Sequence, residues 1–387
     1  MPAVNPEILT WARETAGLSL EDGAKAIGIK PARLAALERG HLEPSHSQLA
    51  NMAGKYRRPL ITFYLRQAPP RGDRGEDFRR APGARPADLD PQLDALIRNV
   101  RARHDVVRSL LEDEEVEQLA FVASMVTEDG PAAVAESIQF TIGFELSKFR
   151  NANDESAAFA YLRNCLERHG IFVLLLGNLG SHHSNISSTG FRGYAIADSV
   201  APFIVVNDND ARAAWSFTAL HEAAHIWLGQ TGISGSSHEV QVERFCNDVA
   251  GRLLLPRDDL QELHDLRAAA FDDVLARISE FASARNVSRR MVSYQLLRAN
   301  KIDAVRYQLL CDRFFADWHR TKEKDPDKPR EGRGPHRYVV IRHRLGPALV
   351  GLARRSLDGG VLSPTKASRL LGVNAGAVRS FLHPDPA

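Results

Sequence analysis

Cysteine is scarce in this chain. Cys165, Cys246 and Cys311 are the three in 387 residues, too few and too far apart for a disulfide framework or a paired-cysteine metal knuckle. Their scarcity excludes the small disulfide-stapled classes and fits a reducing compartment. Long apolar runs are missing as well. No stretch approaches the roughly 18 apolar residues a membrane helix needs, and the opening MPAVNPEILTWARETAG is polar and helical, with no secretory h-region. The expectation is a cytoplasmic protein with no membrane partner. Nor does one sign of charge dominate, since the formal net charge is +2. That balance hides an asymmetry. Residues 1–70 hold 9 Lys+Arg against 6 Asp+Glu, residues 306–387 hold 16 against 8, and the middle is acidic. Basic ends around an acidic centre point to the ends as the parts that could meet nucleic acid, with simple solvation the alternative at the C-terminal end. The remaining composition, 44% hydrophobic and 25% charged, is that of an ordinary globular protein. A chain this long predicts two or three domains.

Residues 5 to 66 read as short helices with tight joints. Asn5 caps NPEILTWARETAG, Pro6 takes its first helical position and Gly17 closes it. Ser19 caps LEDGAKAIG, with Glu21 and Asp22 in the first turn. IKPARLAALERG follows after a very short turn, with Lys30 and Arg33 near its start. Two short helices joined this closely form the helix-turn-helix pattern. WARETAGLSLEDGAKAIGI followed by LAALERGHLEPSHSQLANMA resembles the Xre/Cro type of DNA-binding domain. The resemblance implies DNA contact through residues 1–68, with Lys30, Arg33 and Arg39 as the DNA-binding candidates. The second helix offers Lys, Pro, Ala and Arg at its start, an inventory suited to phosphates more than to base edges.

Arg66 onward, RQAPPRGDRGEDFRRAPGARPADLDP is rich in Pro, Gly and charge and reads as an extended connector. A long amphipathic helix is predicted in PQLDALIRNVRARHDVVRSLLEDEE, with Leu93, Ile97, Val100, His104, Val107 and Leu111 as its stripe and its arginines on the solvated face. Beyond residue 132, helices mix with short strands. ESAAFAYLRNCLERHG is a helix, and IFVLLL (171–176), FRGYAIA and PFIVVN (202–207) suit a small sheet. GSHHSNISS is a polar loop whose His182 and His183 are weak metal candidates.

FTALHEAAHIWLG, residues 217–229, carries the chemistry. The helix around it is apolar over most of its circumference, which predicts burial. Burying His221, Glu222 and His225 there is costly unless each has a partner. Positions four apart share a helix face, so both imidazoles can reach one Zn²⁺. Glu222 lies about 100° round from His221, beside such an ion and within reach of a water on it, where a carboxylate serves as general base and then acid. A catalytic zinc needs a third protein ligand. EVQVERFCNDVAGRLLLP is a helix ended by Pro256, and its Glu243 shares a small-sided face with Cys246, Asn247 and Ala250. Glu239, Asp248 and His238 are alternatives that spacing alone does not separate from Glu243.

FTALHEAAHIWLGQ followed by ERFCNDVAGRLLLP, with FRGYAIADSVAPFIVVND upstream, resembles the ImmA/IrrE family of zinc metallopeptidases. The likeness spans roughly residues 185 to 300, and the N-terminal module with YRRPLITFYL matches a common fused arrangement. It implies one zinc per chain, with His221, His225 and Glu243 as ligands and Glu222 as the acid/base. Cys246 stands where the family usually has a small residue, placing a thiol near the expected metal as a possible competing ligand. Arg192 or Tyr194, on the strand before the helix, are candidates to steady an oxyanion.

The expected fold is multidomain and mainly α with a small β-sheet. It comprises an N-terminal five-helix helix-turn-helix domain (1–68), a connector and long helix (69–130), a central α+β zincin-like metallopeptidase domain (131–303) and a basic C-terminal helical region (304–387). Within that last region LGPALVGLARRSLDGGVLSPTKASRLLGV reads either as a second helix-turn-helix or as a helical cap. The resemblance implies a zinc-dependent, site-specific endopeptidase with a DNA-binding module. The family's usual protein substrate is a helix-turn-helix repressor, cut in stress or mobile-element regulation. The other reading is a DNA-binding regulator or antitoxin-like partner, in which the peptidase fold is a sensor or interaction domain.

Overall fold

The computed structural model describes residues 4–69, 76–78, 91–180, 184–188, 191–234, 240–264, 266–324 and 336–383. These residues are mainly helical, with one small sheet, and fall into two compact units: 1–74 with 82–101 and 178–186, and 75–81 with 102–177 and 187–387.

The first unit begins with four α-helices, α1 (Pro6–Thr15), α2 (Leu20–Ile27), α3 (Pro31–Glu38) and α4 (His46–Lys55), followed by the 3-10 helix Leu60–Tyr64 as the fifth. The expected caps form. Asn5 accepts from the Glu7 amide at 3.0 Å, and Ser19 from that of Asp22 at 3.0 Å. Ser45 and Gln48 make a reciprocal capping box. Ile8, Leu9 and Ala12 of α1 are buried in one core with Leu34, Leu37, Met52 and Phe63. Glu38 of the Leu-Glu-Arg-Gly ending receives Nε and Nη2 of Arg13 at 2.7 and 2.9 Å, a largely buried two-pronged pair tying α3 to α1. α5 (Pro91–Asp113) is the predicted long helix, and Ile97, Val100, His104, Val107 and Leu111 of its stripe are buried. Arg103 departs from the solvated face expected for its arginines. It is buried, which pulls its guanidinium down to about 10.

The second unit is built on a five-stranded sheet in the order β1-β5-β3-β4-β2, with β1 (Glu76–Phe78), β2 (Phe172–Leu175), β3 (Gly193–Ile196), β4 (Phe203–Val206) and β5 (Gly232–Ser234). β2 and β4 run parallel, β3 is antiparallel to β4 and β5, and β1 is parallel to β5. The three apolar strands read from sequence are present, and every residue of each is buried. β1 and β5 are additions. β1 lies inside the segment expected to be an extended connector, and EDF carries no apolar alternation. Its strand geometry comes from backbone pairing with β5, which uses no side-chain signal. Of the connector's other residues, 70–75 and 79–90 lie outside the described residues.

Around the sheet stand α6 (Gly130–Ile142), α7 (Leu146–Arg150), α8 (Glu155–Arg168), α9 (Arg212–Trp227) and α10 (Val240–Leu254). Then come α11 (Phe271–Ser283), α12 (Arg289–Arg298), α13 (Ala304–Lys324), α14 (Arg337–Leu345), α15 (Pro347–Asp358), α16 (Pro364–Leu371) and α17 (Val378–Leu382). α9 packs against β3 and β4, and α10 packs against α9 and α6. The core joins these helices to α11, α12 and the sheet. α8, α14 and α15 pack against β2. Arg163 of α8 joins that region: its guanidinium donates to the Val173 carbonyl of β2, to the His343 carbonyl of α14 at 2.6 Å, and to Glu167 at 2.9 Å. Glu167 accepts the Ala348 amide of α15 at 3.0 Å. Among the described residues no helix is long and apolar enough to cross a membrane. Cys165, Cys246 and Cys311 are all free thiols.

Candidate metal centre

After its first turn α9 is buried, from Trp215 through Trp227 with Phe217 alone partly exposed, as its near-continuous apolar circumference requires. That places His221 and Glu222 at 0% exposure and His225 at 1%. α10 crosses it in the opposite sense. Moving along α9 from His221 to His225, the partner on α10 moves back from Asn247 to Glu243. The small side of α10, with Cys246 and Ala250 fully buried, lets the two helices approach closely.

The result is a cluster of three ligand atoms. His221, His225 and Glu243 each offer one within 4.8 Å of the others. The Nε2 atoms of His221 and His225 are 3.0 Å apart, and Glu243 stands 3.0 Å from His225 and 3.4 Å from His221. Ligands held about 2.0–2.2 Å from one tetrahedral ion lie roughly 3.3 Å from each other. The spacing and the donor set, two imidazole nitrogens and a carboxylate, therefore fit a zinc ion.

The outer nitrogens settle the orientation of both rings. Nδ1 of His221 meets Oδ1 of Asn247 at 2.9 Å, and Nδ1 of His225 meets Oε1 of Gln230 at 3.1 Å. An amide oxygen only accepts, so each Nδ1 carries the proton and each Nε2 turns its lone pair inward. Gln230 is positioned by the end of the helix itself: its amide donates to the His225 carbonyl at 2.8 Å just past Gly229. Burial works against a charged His225, but Cys246, Glu243 and Glu222 together lift it well above the ordinary histidine range. The pocket favours positive charge at its centre.

Glu222 lies outside the three-ligand cluster and against β3. A Cβ on Gly193 would stand 2.4 Å from Glu222 Oε1 and 2.7 Å from Thr218 Cγ2, so this strand position has room for the carboxylate only because it is glycine.

The other sequence candidates separate in the structure. Asp248 is engaged by Arg298 at 2.9 Å. Cys246 is fully buried beside His225 but is not one of the clustered ligands. Tyr194 is buried, and Arg192 pairs with Asp210 at 3.8 Å. His182, His183, His238 and Glu239 lie outside the described residues. In the first unit Lys30, Arg33 and Arg39 are all exposed, at the N-cap, first turn and C-cap of α3. Sequence reasoning gave no role to Asn247 and did not reach Gln230. Asn247 had a signal, since it falls one turn after Glu243 on the same face. Gln230 had none, because its role depends on how the chain turns after α9.

Comparison with protein families agrees with this layout. Residues 166–297 match the peptidase-family model described as the IrrE N-terminal-like domain, and residues 9–63 match the model described as helix-turn-helix. No curated protein matches the chain, and no solved structure does. The chain thus joins an N-terminal helix-turn-helix domain to a central domain of the IrrE N-terminal-like peptidase family.

Proposed function

We propose that the chain is a zinc-dependent endopeptidase that cuts a protein substrate, a helix-turn-helix repressor, and is brought to DNA by its N-terminal domain. The observation that carries the peptidase reading is the convergence of His221, His225 and Glu243 within 4.8 Å on the two packed helices of the peptidase-family domain. Zinc held there by these three residues would supply Lewis acidity, polarising a peptide carbonyl and making water nucleophilic near neutral pH.

The chain's own residues do the rest. Asn247 and Gln230 hold the rings so that both Nε2 atoms face the centre. The Glu222 carboxylate, beside Gly193, accepts the proton that the attacking water gives up and returns it to the leaving amine. Glu243, with 14% of its side chain exposed, is the most accessible of the three ligands. Lys30, Arg33 and Arg39 bind DNA phosphates.

A second reading, a DNA-binding regulator whose peptidase fold serves as a sensor, draws on the complete burial of Glu222. One experiment separates the two. The zinc-loaded protein is incubated with the repressor encoded beside its gene, with Glu222→Gln as control. A discrete cut that disappears in the variant supports the peptidase. An intact repressor, or the same cut by both proteins, removes it.

A further inference from the structure

The last three helices, α15 to α17, share caps and core register with α1 to α3 of the N-terminal domain. α2 and α16 are both eight residues long, and both are capped by a serine, Ser19 and Ser363, whose side chain accepts from a backbone amide three residues on. Both end on a left-handed glycine nine residues after the cap, Gly28 at φ 74° and Gly372 at φ 70°. Only glycine takes this conformation without strain. The helical segment that follows covers the same eight positions in each. It is α3, Pro31–Glu38, in the first and the 3-10 turn Ala375–Ala377 running into α17, Val378–Leu382, in the second.

The buried residues keep the same register. Eight positions after the cap stand Ile27 and Leu371; fifteen after it, Leu34 and Val378; eighteen after it, Leu37 and Phe381, all buried. Before the cap the match continues, with Ile8 of α1 and Leu352 of α15 both eleven positions upstream and both buried. A middle helix of equal length between the same capping serine and left-handed glycine, with core residues at the same offsets, is the arrangement of a helix-turn-helix. The first set is the helix-turn-helix match described above.

Charge gives this second copy its partner. From His336 to His383 there are eight Arg and Lys and a single acidic residue, Asp358. Lys366 and Arg369 of α16 and Arg379 of α17 are all exposed and make no ion pair among the described residues. Asn374 and Ser380 are also exposed on the second helical segment. The corresponding segment of the N-terminal domain offers Lys30, Pro31, Ala32, Arg33, Ala35 and Ala36, with no Asn or Ser. Arg and Lys serve phosphates and guanine, Asn serves adenine and Ser either base edge.

We infer that α15, α16 and α17 form a second helix-turn-helix that binds double-stranded DNA through Lys366, Arg369, Asn374, Arg379 and Ser380. The inference is independent of the peptidase reading.

The test uses the full chain and a mixed-sequence DNA duplex, with affinity followed by fluorescence anisotropy over a salt series. Lys366→Glu/Arg369→Glu/Arg379→Glu should weaken binding by roughly tenfold or more and lower the slope of log affinity against log salt by about 2 to 3. The same loss should appear in a background carrying Lys30→Glu/Arg33→Glu/Arg39→Glu, where the N-terminal contacts are already reversed. Arg369→Gln/Arg379→Gln, a milder pair on exposed positions, should lower the slope by about 2. Unchanged affinity and slope in variants that melt like the parent would overturn the inference. Equal loss of affinity for an RNA duplex would overturn it too, since the surface would then be a general polyanion site.

Discussion

His221 and His225 face each other across 3.0 Å between their Nε2 atoms, with the Glu243 carboxylate closing the third side. Positive charge between the two Nε2 atoms, from a metal ion or from a proton on His225, relieves their repulsion, while their Nδ1 protons are engaged by Asn247 and Gln230. The arrangement is built to hold positive charge at its centre.

The purified protein should therefore hold about one zinc per chain. His221→Ala and His225→Ala should each lose most of it, while Glu222→Gln, outside the cluster, should retain it. Elemental analysis of the four proteins decides the matter, and equal zinc in all of them would refute the ligand set.

Asn247→Ala and Gln230→Ala should weaken zinc by roughly 10- to 100-fold each, because each frees an imidazole to rotate or change tautomer. Competition with a chelator measures this. Parental affinity in both variants would show that the rings are held by packing alone.

Arg163 and Glu167 form a pair whose side chains are 6% and 4% exposed. Arg163→Ala should cost about 3–5 kcal/mol of stability, since it leaves a buried carboxylate without its cation. Replacing both with apolar residues of similar size should cost much less. Denaturant unfolding compares them, and a single-variant cost near zero would mean that the α8–β2–α14 junction holds without the pair.

Acid should act through Asp198. Burial by itself would raise this carboxyl, but the amides of Ala201 and Val200, with His104 and Arg108, outweigh it and hold Asp198 below the usual carboxylate range. A depressed carboxylate stabilises the fold above its unfolded value, and that contribution is lost as pH falls through the folded value. Asp198→Asn should melt below the parent at neutral pH, and the gap should narrow as the solution is made acidic. A gap independent of pH would place the effect in packing.

Much of this molecule could be read from residue order because its signals are local. Asn5, Ser19 and Gly28 mark helix ends within a few residues of themselves, and 171–176 and 202–207 are continuous apolar runs. The spacing of His221 and His225 puts them on one face of any helix. Glu243 was less legible, since Glu239, Asp248 and His238 had the same claim by spacing, and it is the opposed run of α9 and α10 that brings its carboxylate to the two imidazoles. β1 was not legible at all, because EDF is a strand only through the backbone of β5.

Periodicity, capping and the HEAAH spacing by themselves determined which segments are helices, which apolar faces turn inward and which two imidazoles could share an ion. These follow from interactions within one or two turns of chain. Only the tertiary structure decided that Glu243 closes the cluster, that Asn247 and Gln230 fix its rings and that Gly193 makes room for Glu222. Those relations join atoms far apart in sequence or around a chain turn, and a side chain's partner across a packed interface is set by helix crossing and strand register, which no short stretch of residues encodes.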